Sequence, residues 1–386
     1  MIAPLNKAFL KISKRAEKYK NKHLSSTFVD TGTFFTLLSN IDNQILYGRR
    51  GTGKTHALFY LANKIRKDNE VVMNIDLRTI GAAGGIYSNS NSNIPERATK
   101  LLVSTLSEIH ENLLEYIIEN PEKNDLSQFG PLLDELANSI TEVKIEGPIE
   151  TEKTINQNKE KSKSSKTGLS ASNSKVGIKH TRNNTNKSKE SRKITHKKSG
   201  KKRYRVHFGR LLNSMQKITN KLEPKRIWIL LDEWSEIPLE LQPYLADLLR
   251  RIIFPLKNIT IKIAAIEQRC NFRIPIESGG YIGIEVGADT DNLDLDEFMV
   301  FNNDKERAKD FFKKLFFRHI KFVLKDNPEN IPESEDDLIN KAFTQKNTFH
   351  ELVRAAEGVP RDAINILGQA SQKANDKKIS MNDIRE

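Results

Sequence analysis

The chain has 386 residues, enough for one large domain or two ordinary ones with a sizeable core, and a formal net charge of +13. No run approaches the roughly 18 apolar residues of a membrane-spanning helix, and the opening residues lack the pattern of a secretory leader, so neither class is expected. The single cysteine, Cys270, excludes an internal disulfide and a cysteine-cluster zinc site, and suits a structural thiol in a reducing cytoplasm.

Residues 1–27 read as a short basic helix or arm. Residues 28–303 carry alternating strand and helix patterns. The apolar stretch 44–47 reads as a buried strand ending in a Gly-rich loop, 55–67 as a helix, and 71–76 as a second strand. The spacing of Leu101, Leu102, Leu106, Ile109 and Leu113 predicts an amphipathic helix.

Between 151 and 203 stand 17 lysines and arginines against three glutamates, a local charge of +14 that leaves −1 for the rest of the chain. This stretch has almost no aromatic or branched apolar residues and cannot bury enough surface to offset chain entropy, so 148–203 reads as a disordered basic insertion. Two roles are open to it. It is either a solvated linker or an arm that neutralises the phosphates of a nucleic acid such as DNA.

After the insertion come a helix over 208–222, a strand over 227–231, a helix through Leu241, Leu245, Leu248 and Ile252, and a strand over 259–266. Alternation of this kind predicts a parallel sheet covered on both faces, a three-layer α/β core. From 304 to 386 the pattern is wholly helical, which predicts a separate bundle.

Two motifs carry chemistry. Gly48-Arg49-Arg50-Gly51-Thr52-Gly53-Lys54-Thr55, followed by His56, has the spacing of a phosphate loop (Walker A) and sits between a strand and a helix. Its glycines let backbone N–H groups face phosphates, with the positive end of the following helix behind them. Lys54 is then expected to reach the β and γ phosphates of ATP, and Thr55 to place its hydroxyl on Mg²⁺. The second motif is the apolar strand that runs into Asp232-Glu233 (Walker B). Neighbouring acids at a strand end divide the work, so Asp232 is the expected metal residue and Glu233 the group that polarises the attacking water. An acidic turn capping the next helix is the bland alternative; the upstream loop weighs against it.

Together with Gly358-Val359-Pro360-Arg361-Asp362-Ala363, these motifs resemble the AAA+ ATPases, nearest the origin-recognition and replication-initiator clade. The resemblance covers about 28–145 and 204–386. It implies a P-loop NTPase core followed by a helical lid, ATP hydrolysis with Mg²⁺, and assembly into homo- or hetero-oligomers. It places Arg361 at the start of a lid helix, contacting the γ-phosphate. It also puts a polar sensor near Gln268, after strand 259–266, and an arginine acting on a neighbouring subunit before the next strand at 281–286. Arg269 and Arg273 are equal candidates for that arginine, and salt bridges to the acidic stretch 285–297 suit both as well. Initiators of this clade usually continue into a winged-helix DNA-binding domain, whereas this chain ends 18 residues after Gly368. A switch acting on DNA or a DNA-associated partner is therefore the leading expectation. The alternative is a signalling or phage-defence NTPase in which ATP gates oligomerisation. A GTPase is disfavoured because no Asn-Lys-x-Asp guanine signature occurs.

Overall fold

The computed structural model describes residues 3–13, 21–30, 32–82, 85–88, 93–141, 153–155, 194–196, 207–223, 226–276, 279–299 and 305–385. Helices α1 (Pro4–Leu10), α2 (Asn21–Thr27) and α3 (Thr33–Leu38) precede β1 (Gln44–Tyr47), which feeds through the glycine loop into α4 (Lys54–Lys67). Next come β2 (Val71–Asp76), α5 (Leu77–Ala82), α6 (Ile94–Glu119) and α7 (Leu126–Thr141). Residues Val143–Arg205 form a unit of their own. Within it β3 (Lys153–Ile155) runs antiparallel to β4 (Ile194–His196). The rest of the basic insertion expected at 148–203 lies outside the described residues.

The chain continues with α8 (Phe208–Lys221), β5 (Ile227–Asp232), α9 (Gln242–Leu248) and β6 (Ile259–Ala264). Strands β7 (Arg273–Pro275) and β8 (Tyr281–Gly283) then make a hairpin, followed by β9 (Asp291–Asp294) and α10 (Leu295–Met299). Five helices follow: α11 (Lys305–Val323), α12 (Glu335–Ala342), α13 (Lys346–Ala355), α14 (Pro360–Ala374) and α15 (Met381–Arg385).

The main sheet has the order β2-β5-β6-β1-β9, and every pairing in it is parallel. Parallel order brings the carboxyl ends of β1, β2, β5 and β6 to one edge, where loops build sites. There Asp76 stands beside Asp232 in register, and Leu46 beside Ala264. One expected strand is corrected. The segment near 281–286 does not enter the sheet: Tyr281–Gly283 pairs with Arg273–Pro275 outside it, and the fifth strand is Asp291–Asp294. An edge strand has one neighbour and a wet flank, so this polar sequence served where an apolar run was sought.

Uninterrupted apolar strands are explained by burial on both faces. In β5, Ile227, Ile229 and Leu231 join one cluster with α6, α7, α8 and α9, whereas Trp228 and Leu230 join a second with α4 and the helices from α11 onward. Lys262 of β6 interrupts the second face. It is fully buried, and the three N–H bonds of its Nζ are shared among four oxygens within reach, Asn40 O and Oδ1 and Asp42 O at 2.9 Å and Gln44 Oε1 at 2.6 Å.

Helix α1 packs on the C-terminal helices. Its Ala8 and Phe9 belong to the second cluster, and the buried Asn6 side chain donates to Asn375 O at 2.9 Å and Lys377 O at 2.8 Å, beyond the end of α14.

Candidate functional site

The loop between β1 and α4 turns on glycines in left-handed backbone. Gly53, with φ 102°, caps α4, and Gly51 has φ 96°. A Cβ on Gly51 would also stand 2.8 Å from Arg361 Cβ and 3.1 Å from Val359 Cγ1, so two constraints require glycine there. Lys54, the first residue of α4, folds back over the loop and donates to Gly48 O at 2.7 Å and Arg49 O at 3.0 Å. Burial lowers its pKa, opposed by the charges of Asp232, Glu233 and Asp296.

Across from the loop, β5 ends at Asp232. Burial pushes this carboxyl up to about 6, against a hydrogen bond from the Thr55 hydroxyl and one from the Glu233 N–H. A half-buried carboxylate touching the Thr55 hydroxyl beside a lysine suits Mg²⁺-ATP. Mg²⁺ takes one or two protein oxygens and completes its shell with phosphates and water. Glu233 sits at φ 58°, ψ 39°, a left-handed conformation that costs a side-chain-bearing residue on the order of 1 kcal/mol. This turn swings its side chain off the strand direction, and Arg78 Nη1 meets Glu233 Oε1 at 3.5 Å. The same guanidinium grips Asp76 through Nε and Nη2, at 3.0 and 2.6 Å, and so balances acids clustered at the sheet edge.

The third wall is helical. Arg361 is the second residue of α14, and its backbone N–H donates to Gly51 O at 3.3 Å. Its Nε is buried without a hydrogen-bond partner, an orphan donor in the wall of a cavity that Lys54, Thr55, Asp232 and Glu233 also line. Leaving such a donor unmet costs about 1–3 kcal/mol or more, which an anion would recover. Beside this polar cavity is an apolar recess lined by Phe28, Val29, Phe34, Leu295, Phe311 and Leu315, which shares His56 and Pro360 with it. A flat, weakly polar ring suits that lining. His56 Nε2 lies 2.8 Å from Leu24 O; a carbonyl only accepts, so Nε2 carries a proton, and burial lowers the imidazole pKa against the opposing effect of that hydrogen bond.

The sequence profile of the ORC-CDC6-like family matches residues 13–350. This chain belongs to the ORC-CDC6-like family. No curated protein matches it. Among solved structures, a Walker-type ATPase of Pyrococcus abyssi aligns with 95% of this chain and 72% of its own, at 14% identity and a TM-score of 0.40.

As an ORC-CDC6-like AAA+ protein, the chain can be compared with the residues expected from its motifs. Arg50, Gly51, Gly53, Lys54, Thr55, His56, Asp232, Glu233 and Arg361 line one cavity. Gly48, Arg49 and Thr52 do not line it. Thr52 is buried and donates to Arg49 O at 2.9 Å, and Arg49 turns to Asp296 and Glu357. Arg50 meets Glu236 at 3.4 Å. Gln268 is exposed on a one-turn 3₁₀ helix, and Ile266 lines the cavity instead, because the strand ends at Ala264 and the chain turns away. Arg273 is held by Glu285 at 2.5 Å and stacks on Tyr281; Arg269 is exposed with no ion pair among the described residues.

Sequence reading missed Arg78, although an Asp-x-Arg at the end of a strand was a signal for it. It also missed His319 and Leu315 of α11, which reach the cavity only through packing of the helices.

Proposed function

We propose that this AAA+ protein binds ATP with Mg²⁺ and hydrolyses the terminal phosphate, using closure of its C-terminal helices as a switch. The observation that carries this reading is the convergence of Lys54, Thr55, Asp232, Glu233 and Arg361 on one cavity, with an apolar recess beside it. Lys54 exchanges the carbonyls of its own loop for phosphate oxygens, Thr55 and Asp232 offer oxygens to Mg²⁺, and the metal neutralises charge between the phosphates when bound. Glu233 accepts a proton from the attacking water. Arg361 supplies a donor to a γ-phosphate that ADP lacks, so its contact differs between the two nucleotides and biases closure.

DNA or a DNA-associated partner is the proposed target, with the basic stretch 151–203 as the contact and a second subunit approached by Arg269. Support comes from the +14 charge of that stretch and from Arg269, which is exposed and has no ion pair among the described residues. The test is ATP turnover with and without double-stranded DNA, in the parent chain, in Glu233→Gln and in a chain lacking 151–203. Glu233→Gln is expected to keep ATP bound and slow turnover by about 10²-fold or more. The deletion is expected to keep ATP binding but flatten the salt dependence of DNA binding. Equal turnover in parent and Glu233→Gln would refute hydrolysis at this site.

A further inference from the structure

The phosphate-loop pattern leaves its second and third positions free, and here both are arginine. The two behave differently. Arg50 lines the nucleotide cavity, whereas Arg49 is drawn out of it on the opposite side of the loop. The Arg49 backbone N–H donates to Asp296 Oδ2 at 3.0 Å and its Nε faces Asp296 Oδ1 at 3.3 Å, so one carboxylate of α10 holds both main chain and side chain. The far end of the guanidinium then crosses to the turn between α13 and α14. Nη2 donates to Glu357 O at 2.5 Å, and Nη1 lies 3.8 Å from the Glu357 carboxylate.

That turn is an unusual one. Glu357 and Gly358 are both left-handed, with φ 46° and 80°, and they reverse the chain within a few residues so that α14 begins at Pro360. Such a conformation is unfavourable for a residue with a side chain such as glutamate, and an external contact that fixes its carbonyl offsets this. Three residues later Arg361 donates its N–H to Gly51 O, and Gly51 is two residues beyond Arg49. The phosphate loop therefore grips the α13–α14 turn at two points, Arg49 on Glu357 and Gly51 on Arg361, and neither grip uses a nucleotide.

We infer that Arg49 is a positioning residue: it holds the Glu357–Gly358 turn against the phosphate loop and so aims Arg361 at the terminal phosphate. It touches no reacting group itself. Its charge serves a contact between core and C-terminal helices, with Asp296 as the fixed anchor. The inference rests on the hydrolytic reading above and names a residue through which Arg361 acts.

A double-mutant cycle with a structural readout tests it. Arg49→Ala, Arg361→Ala and the double variant are compared for kcat and KM with ATP, for ADP affinity, and for amide hydrogen exchange over 357–363. Arg49→Ala is expected to lower kcat about 10-fold, leave ADP affinity within about 2-fold, and speed exchange across the turn. In the Arg361→Ala background the same change is expected to cost less than about 2-fold, because the group being aimed is gone. Arg49→Lys, whose ammonium cannot span Asp296 and Glu357 O together, is expected to behave like Arg49→Ala and substitutes for it if alanine prevents folding. Full additivity of the two losses would overturn the inference, since Arg49 would then act on the nucleotide independently. So would unchanged kcat or unchanged exchange over 357–363. A parent chain that turns over no faster than Glu233→Gln would instead remove the hydrolytic reading, and hydrogen exchange would still decide whether Arg49 holds the turn.

Discussion

The nucleotide site has two halves of different origin. Asp232 and Glu233 stand at the carboxyl end of β5, and Lys54 and Thr55 open α4 just beyond the loop that follows β1; β5 and β1 both pair with β6, so one parallel sheet fixes the separation of the two pairs. Arg361 stands on a helix whose place depends on the packing of α1 and α11 to α15, and on two contacts to the phosphate loop. The difference teaches where control resides. The sheet half is set by strand pairing alone, whereas the helical half joins it only as well as its packing allows.

Substitutions in each half sharpen the contrast. The largest effect is expected from Lys54→Ala: ATP and ADP are both lost by calorimetry, because the ammonium serves phosphates common to the two and no neighbouring cation replaces it. Arg361→Ala is expected to cut turnover by about 10- to 10²-fold while ADP affinity holds within a few-fold, since its contact exists only for the terminal phosphate. Equal losses for ATP and ADP in that variant would break the comparison and make the helical half merely structural.

A smaller effect, on stability rather than chemistry, is expected at Lys262. Lys262→Met removes the donor that four oxygens share, of which Asn40 Oδ1 keeps the Asp42 N–H, and is expected to cost about 2–3 kcal/mol in chemical denaturation. Burial lowers this ammonium from 10.5 to about 7, opposed by the charges of Asp42 and Asp291. Between those values the unfolded chain binds the additional proton, so stability from this group is present above 10.5 and is lost as pH falls through 7. The melting temperature of the parent relative to Lys262→Met is therefore expected to rise from pH 7 to pH 9. A flat difference would mean that the four oxygens keep the ammonium charged throughout.

Much of the sheet half was legible in the sequence because its signals are local. The glycine loop lies between a strand and a helix, and an apolar strand runs into Asp232-Glu233. Edge strand β9 was not legible: its four residues have one neighbouring strand and only Leu293 among them is apolar, so they carry no apolar run, and the more apolar 281–286 drew the assignment. The roles of Arg49 and Arg50 were equally hidden, since spacing places both on the loop but only partners distant in sequence, Asp296 and Glu357 for Arg49 and Glu236 for Arg50, decide which way each turns. Arg361 was found by its motif, while His319 and Leu315 depend on tertiary packing that no short pattern records.

Helix α1 gives the order of synthesis a meaning. Its Asn6 side chain bonds the carbonyl of Asn375, 369 residues further along the chain. A ribosome makes α1 long before the residues it packs against, so α1 waits with its apolar face unmatched until α14 and the turn after it have been synthesised. The sheet, with Lys54 and Asp232, can assemble long before that. The nascent protein would thus acquire its glycine loop early and the helical wall of the cavity only after α14 had been made.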